Sequence, residues 1–119
     1  MRHRRPEDQI QCAIVQHLRC RGAHGAVWWH TPNGGARRKT EAAILKGLGV
    51  LAGVADLCIL HAGRFYVLEL KAPGGRSTEA QIAFRDSVNA AGGFASEAVG
   101  LDTALRVLES WGLLKGAVQ

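Results

Sequence analysis

Ala55-Asp56-Leu57-Cys58-Ile59-Leu60-His61-Ala62-Gly63-Arg64-Phe65-Tyr66-Val67-Leu68-Glu69-Leu70-Lys71 reads as one β-hairpin, and its charged ends decide the fold. Residues 55–60 and 65–71 are rich in strand formers, and His61-Ala62-Gly63-Arg64 supplies the turn. With Ala62-Gly63 as a two-residue loop, Asp56 stands directly opposite Glu69. Residues opposed in this way carry their side chains on one sheet face, with Cβ atoms about 4.5–5.5 Å apart. Lys71, two residues beyond Glu69, projects from that face as well. Leu60, Cys58, Phe65 and Val67 share the face of Asp56, while Leu57, Ile59, Tyr66, Leu68 and Leu70 form the other. A hairpin apolar on both faces belongs in the middle of a sheet, covered on both sides. Its three ionisable groups then cluster where the strands leave the core.

Two carboxylates held opposite each other repel unless something offsets them. A hard divalent cation does so, because oxygen ligands are what it takes. The hairpin therefore predicts a Mg²⁺-type site with an ammonium beside it, the equipment of phosphodiester hydrolysis. The bland reading is an internal Lys–carboxylate ion pair, which leaves one of the two acids uncompensated.

Outward from the hairpin, Glu7 to Arg21 reads as an amphipathic helix behind Pro6, with Ile10, Ile14 and Leu18 as its stripe. Glu7 falls on that stripe. It is either a site residue or an acid complementing the helix dipole. Residues 26–30 read as a short strand, and 31–39 as a glycine-rich basic loop. Thr40 reads as the cap of a helix over 41–48. After the hairpin, Thr78-x-x-Gln81 fits a capping box, with Ser77 as the other candidate cap. Phe84, Val88 and Ala91 form the stripe of the helix it opens, and Gln81 sits on that stripe. Phe94 to Val99 reads as a strand and Leu101 to Leu114 as a closing helix. The order α-β-α-β-β-α-β-α makes an α/β fold with a mixed central sheet flanked by helices.

At 119 residues the chain reads as a single domain, 1–119, with residues 1–6 as a flexible basic arm. Three cysteines without a C-x-x-C pair argue for a reducing, intracellular setting and against structural zinc or a disulfide framework. No stretch approaches the roughly 20 apolar residues of a membrane span, and no apolar segment follows the basic N-terminus as a secretion signal requires. A cytoplasmic protein is expected. The net charge of +5 is concentrated early, because residues 1–46 hold nine Lys/Arg against three Asp/Glu. That excess suits a polyanion but is equally the mark of a solvated basic surface.

Gly53-Val54-Ala55-Asp56, a twelve-residue gap, Glu69-Leu70-Lys71 and Gln81 together resemble the PD-(D/E)XK nuclease superfamily. Within it they are most similar to the virus-type replication-repair nuclease (VRR-NUC) domain. Glu7 in an N-terminal helix, the stretch His30-Thr31-Pro32-Asn33-Gly34-Gly35 and the run from Leu68 to Arg76 also fit its pattern. The resemblance spans roughly residues 7–100. One position departs from it: Ala55 stands where the family often has proline, which donates no ligand.

The resemblance implies a restriction-endonuclease-like core and a metal-dependent, structure-selective DNA endonuclease. Asp56, Glu69 and the Leu70 main-chain carbonyl would bind Mg²⁺ or Mn²⁺. Lys71 would orient the attacking water, Glu7 would support the site indirectly, and Gln81 would position one of its parts. His30, Asn33, Arg37, Arg38, Lys39 and Arg76 are the candidate DNA contacts. His30 has a structural histidine as its ordinary alternative, and Gln81 has simple capping. One of Trp28 and Trp29 belongs in the core and leaves the other for a partner subunit or a base. The implied substrate is branched DNA, a four-way (Holliday) junction above others, cut by a homodimer whose symmetry matches it. A viral or prophage repair setting goes with the family. The rivals are a non-catalytic DNA-binding module, a flap or replication-repair nuclease, and an HNH-type site on His30, Asn33 and His61. The last would need a helix soon after a hairpin bearing its histidines, which this order of elements does not supply.

Overall fold

A computed structural model describes residues 5–32 and 39–116, with only the backbone course of Lys39, Thr40 and Ala42. The elements are α1 (Pro6–Arg21), β1 (Val27–His30), α2 (Lys39–Gly47), β2 (Leu57–His61), β3 (Arg64–Lys71), α3 (Glu79–Ala90), β4 (Phe94–Val99) and α4 (Leu101–Ser110). This is the expected order. The sheet runs β1-β2-β3-β4, with β1/β2 and β2/β3 antiparallel and β3/β4 parallel. The expected mixed α/β fold is the one observed.

His61 pairs with Arg64 and Leu57 with Leu68, so the hairpin has the anticipated register. Its turn puts both central residues at positive φ, 51° at Ala62 and 77° at Gly63, which matches the twist of the flanking strands. Alternation then divides the core in two. Leu57, Ile59, Tyr66, Leu68 and Leu70 pack with Ile14 and Leu18 of α1 and Ala104 and Leu108 of α4. Cys58 and Val67 pack on the opposite face with Ala55, beneath Phe84 and Val88 of α3. Coverage is incomplete there: Leu60, expected to be enclosed, is 46% exposed next to the turn.

Several particulars differ from expectation: β2 begins at Leu57 rather than Ala55, so Asp56 precedes the ladder instead of pairing with Glu69. Thr40 is the second residue of α2 rather than its cap. The last helix stops at Ser110, and Gly112, at φ 76°, turns the chain back. Leu113 and Leu114 are then buried as an irregular segment, with Leu114 bridged to Gly22. Arg21 fastens this return: its guanidinium donates to Glu109 Oε2 at 2.8 Å, to His17 Nδ1 at 3.1 Å and to the Lys115 carbonyl. Glu7, finally, is exposed at the first turn of α1 instead of lying on the buried stripe. The arm residues Arg2 and Arg4, and Asn33, Gly34, Gly35, Arg37 and Arg38 of the basic loop, lie outside the described residues.

Candidate active site

The site is made by a strand that outruns its neighbour. β2 begins at Leu57, opposite Leu68, while β3 continues through Glu69, Leu70 and Lys71 with only β4 beside it. Along that overhang the Leu70 N–H points toward the space β2 has vacated, and the Asp56 carboxylate fills part of it. Asp56 Oδ2 accepts this N–H at 2.8 Å. N–H and C=O of one strand residue point to the same side, so the Leu70 carbonyl also faces this gap. Asp56 itself is held from behind. Its main-chain carbonyl accepts from Thr31 N at 2.8 Å and from His30 Nδ1 at 2.9 Å. A carbonyl can only accept, so the His30 proton sits on Nδ1.

Glu69 and Lys71 project onto the α3 face and are both buried, at 2% and 7% exposure. Glu69 Oε1 accepts from Gln81 Nε2 at 3.2 Å, whereas Oε2 is buried with no donor. The Glu69 carboxyl is pushed up to about 8, first by burial and then by the neighbouring Asp56 carboxylate. The charges of Lys71 and Arg85 pull it partly back. Two carboxyls at one site, one holding a proton, are the usual outcome when like charges cannot both ionise.

This shift has a consequence for the metal-free protein. The folded-state value lies above the unfolded value of about 4.3. The folded form therefore carries no penalty from Glu69 below about pH 4, and loses stability as pH climbs toward 8. Urea unfolding with EDTA at pH 5 and pH 8 is expected to show a drop of a few kcal/mol that Glu69→Gln removes.

Glu7 reaches the site from α1. A Cβ built on Gly75 would lie 3.5 Å from Glu7 Oε1 and 3.6 Å from Lys71 Cδ, so both side chains lie against that glycine. Gly75 closes a turn on the Ala72 carbonyl at 2.8 Å, with Pro73 and Gly74 (φ 86°) between. Among the described residues, no three His, Cys, Asp or Glu side chains gather for a metal. What converges is two carboxylates and a main-chain carbonyl, with the orphaned Glu69 Oε2 among them. Hard oxygens in small number suit Mg²⁺ or Mn²⁺, which keep several of their waters. Glu7 does not join that group.

Of the remaining candidates, Arg76 is exposed in the loop before α3, and Lys39 opens α2. Asn33, Arg37 and Arg38 fall among the residues not described. Trp28 packs on the core, while Trp29 stacks on Phe65 at 6.3 Å and is partly exposed. Arg85 was missed. It lies one helical turn beyond Gln81, its charge reaches Glu69, and its Nη1 is buried without a partner. The i, i+4 spacing from Gln81 was its only trace in the sequence.

No family model matches the sequence, and no curated protein does. A solved structure described as a "VRR_NUC domain protein" is similar to it with a TM-score of 0.74 and 25% sequence identity, over 92% of this chain and 90% of that one. With the mixed sheet, this match shows a nuclease-like α/β fold and supports reading the chain as a VRR-NUC domain.

Proposed function

We propose that the protein is a metal-dependent endonuclease hydrolysing phosphodiester bonds in branched DNA, with four-way junctions as its preferred substrate. The observation that carries this reading is the Asp56–Glu69 pair at the β3 overhang, with Glu69 Oε2 buried and without a donor and Lys71 buried beside it. Asp56, Glu69 and the Leu70 carbonyl would hold Mg²⁺ or Mn²⁺. When bound, the cation supplies Lewis-acid polarisation of the scissile phosphate and neutralises charge on the leaving oxygen. Lys71 orients the attacking water and stabilises the charge that develops on the phosphate. Glu7, against Lys71 across Gly75, steadies the ammonium stem. His30 and Thr31 fix the backbone of Asp56. Arg76, Lys39 and the basic loop residues Asn33, Arg37 and Arg38 contact the DNA backbone.

A junction needs two incisions related by a two-fold axis, so the active form is a homodimer. Ile44 of α2 and Leu48 just after it are 63% and 76% exposed, beside exposed Val50 and Leu51. Next to them a cavity of about 740 Å³ opens between α2 and α3, lined by Leu45, Val54, Ala80 and Phe84. Such a face costs free energy in water and supports the dimer reading. Among the described residues no helix is long and apolar enough to cross a membrane.

The test is cleavage of junction, flap, single-stranded and linear duplex DNA with Mg²⁺, Mn²⁺ or EDTA, by wild type and Lys71→Ala. Cleavage of the junction above all others, abolished by EDTA and lowered about 10²-fold or more by Lys71→Ala, is expected. Binding without metal-dependent cleavage of any substrate would instead mark a non-catalytic module.

A further inference from the structure

We infer that the capping box of α3 is a positioning device for the acid pair: Thr78 fixes the orientation of the Gln81 amide, which in turn commits Glu69 Oε1 and leaves Oε2 for a cation. This rests on the metal-site reading above and adds a residue, Thr78, that touches none of the reacting groups.

The two ends of a glutamine amide are nearly equal in size, so packing alone seldom dictates which way it faces. Here a backbone group does. The Thr78 N–H can only donate, and it donates to Gln81 Oε1 at 2.8 Å. Oε1 is thereby engaged, and Nε2 turns to Glu69 Oε1 at 3.2 Å. Thr78 Oγ1 completes the box by accepting from Gln81 N at 3.2 Å. In an ordinary capping box the amide NH₂ is left to water. In this protein it spans from helix to sheet and occupies one of the two oxygens of a buried carboxylate, while the other has no donor.

The arrangement is braced from the other side. At Gly53 the backbone packs directly on the first turn of α3, where an added Cβ would stand 2.3 Å from the Ala80 carbonyl oxygen and 2.7 Å from Gln81 N. The loop that leads to Asp56 and the helix that carries Gln81 are thus in contact through main chain. Both carboxylates of the site are referenced to the same helix start.

Two substitutions at Thr78 separate positioning from capping. Thr78→Ala removes Oγ1 and keeps the N–H. Thr78→Pro removes the N–H as well, and the φ of −75° at this position is one that proline adopts. Mn²⁺ affinity is measured by titration calorimetry, and thermal stability without metal is followed alongside. Thr78→Ala is expected to lower the melting midpoint with Mn²⁺ affinity within about twofold of wild type, and Thr78→Pro to weaken affinity about tenfold, the scale of a lost outer-shell contact. Equal affinity in the two variants, whether weakened or not, would overturn the inference.

Gln81→Glu provides a second arm should the proline variant fail to fold. It keeps both cap bonds but sets an acceptor against Glu69 Oε1. A kcat reduced about tenfold in a variant that still melts cooperatively supports the inference, and unchanged kcat overturns it. Asp56→Asn is the control on the site itself. If wild type binds Mn²⁺ no better than Asp56→Asn, the metal-site reading falls and takes this inference with it. A wild-type preference, with Thr78→Pro and Gln81→Glu both like wild type, removes the positioning role alone.

Discussion

Asp56→Asn is expected to abolish cleavage while making the metal-free protein more stable. Asparagine keeps an oxygen for the Leu70 N–H that Asp56 Oδ2 now accepts at 2.8 Å, so the end of the sheet holds its shape. What disappears is the negative charge that stands against buried Glu69 and helps to push its carboxyl up to about 8. Relief of that repulsion is worth about 1 kcal/mol near pH 8 for each unit by which the Glu69 value falls back. The same change removes one of the two proposed anionic metal ligands, and single-turnover cleavage should fall on the order of 10³-fold. Urea unfolding in EDTA and cleavage in Mg²⁺ measure the two effects on one sample. A variant that loses activity and stability together would mean that Asp56 acts mainly as a structural clamp for Leu70.

Gly53→Ala is expected to damage stability and cleavage alike. The residue sits at φ 78°, where an L side chain costs about 1–2 kcal/mol. Its new Cβ would also stand 2.3 Å from the oxygen and 2.4 Å from the carbon of the Ala80 carbonyl. Those atoms are helix backbone and cannot swing aside, so the loop must lift from α3, at a further cost of about 1–3 kcal/mol. Asp56 lies three residues on and moves with it; a displacement of about 1 Å at a reacting group can cost 10²-fold in rate. Gly49→Ala is the matched control. Gly49 has φ 92° with nothing within 4 Å of an added Cβ, so that variant should lose about 1–2 kcal/mol and little activity. Similar rates for the two variants would show that contact between the Asp56 loop and α3 does not matter to the reaction.

The hairpin was legible because its physics is local. Strict alternation and a two-residue turn at Ala62-Gly63 fix register and face together, and Glu69 and Lys71 follow from them; Asp56, expected opposite Glu69, instead precedes the ladder and accepts the Leu70 N–H with its carboxylate. Gln81 was placed by its helix-start pattern, and capping and contact with the acid pair, first weighed as alternatives, are both present in its one side chain. Glu7 was half legible. Its spacing puts it in line with Ile10 and Ile14, but it is exposed and lies against Gly75, as Lys71 does. Arg85 was not legible. Its reach to Glu69 depends on how α3 crosses β4, and that follows from the parallel β3/β4 pairing, which no local pattern encodes. The early stop of α4 could have been read from Gly112, but the burial of Leu113 and Leu114 against the end of α1 is a long-range fact.

The fastening of Arg21 to Glu109 and Lys115 bears on the order in which the molecule can assemble. The helix that bears Glu7 precedes the sheet in the chain, yet it packs both on the β2/β3 hairpin and on α4 and segment 113–115, the last of the described residues. During synthesis the hairpin and β4 can pair and cover part of Ile14 and Leu18 before α4 completes the surface that buries them. The acids and lysine of the overhang are thus assembled from mid-chain contacts, and the helix that carries Glu7 is fastened on both sides only when α4 and segment 113–115 dock. A nascent chain stalled before Glu109 would carry a formed sheet with its first helix seated on the hairpin alone, the α4 side of the apolar stripe open to other proteins.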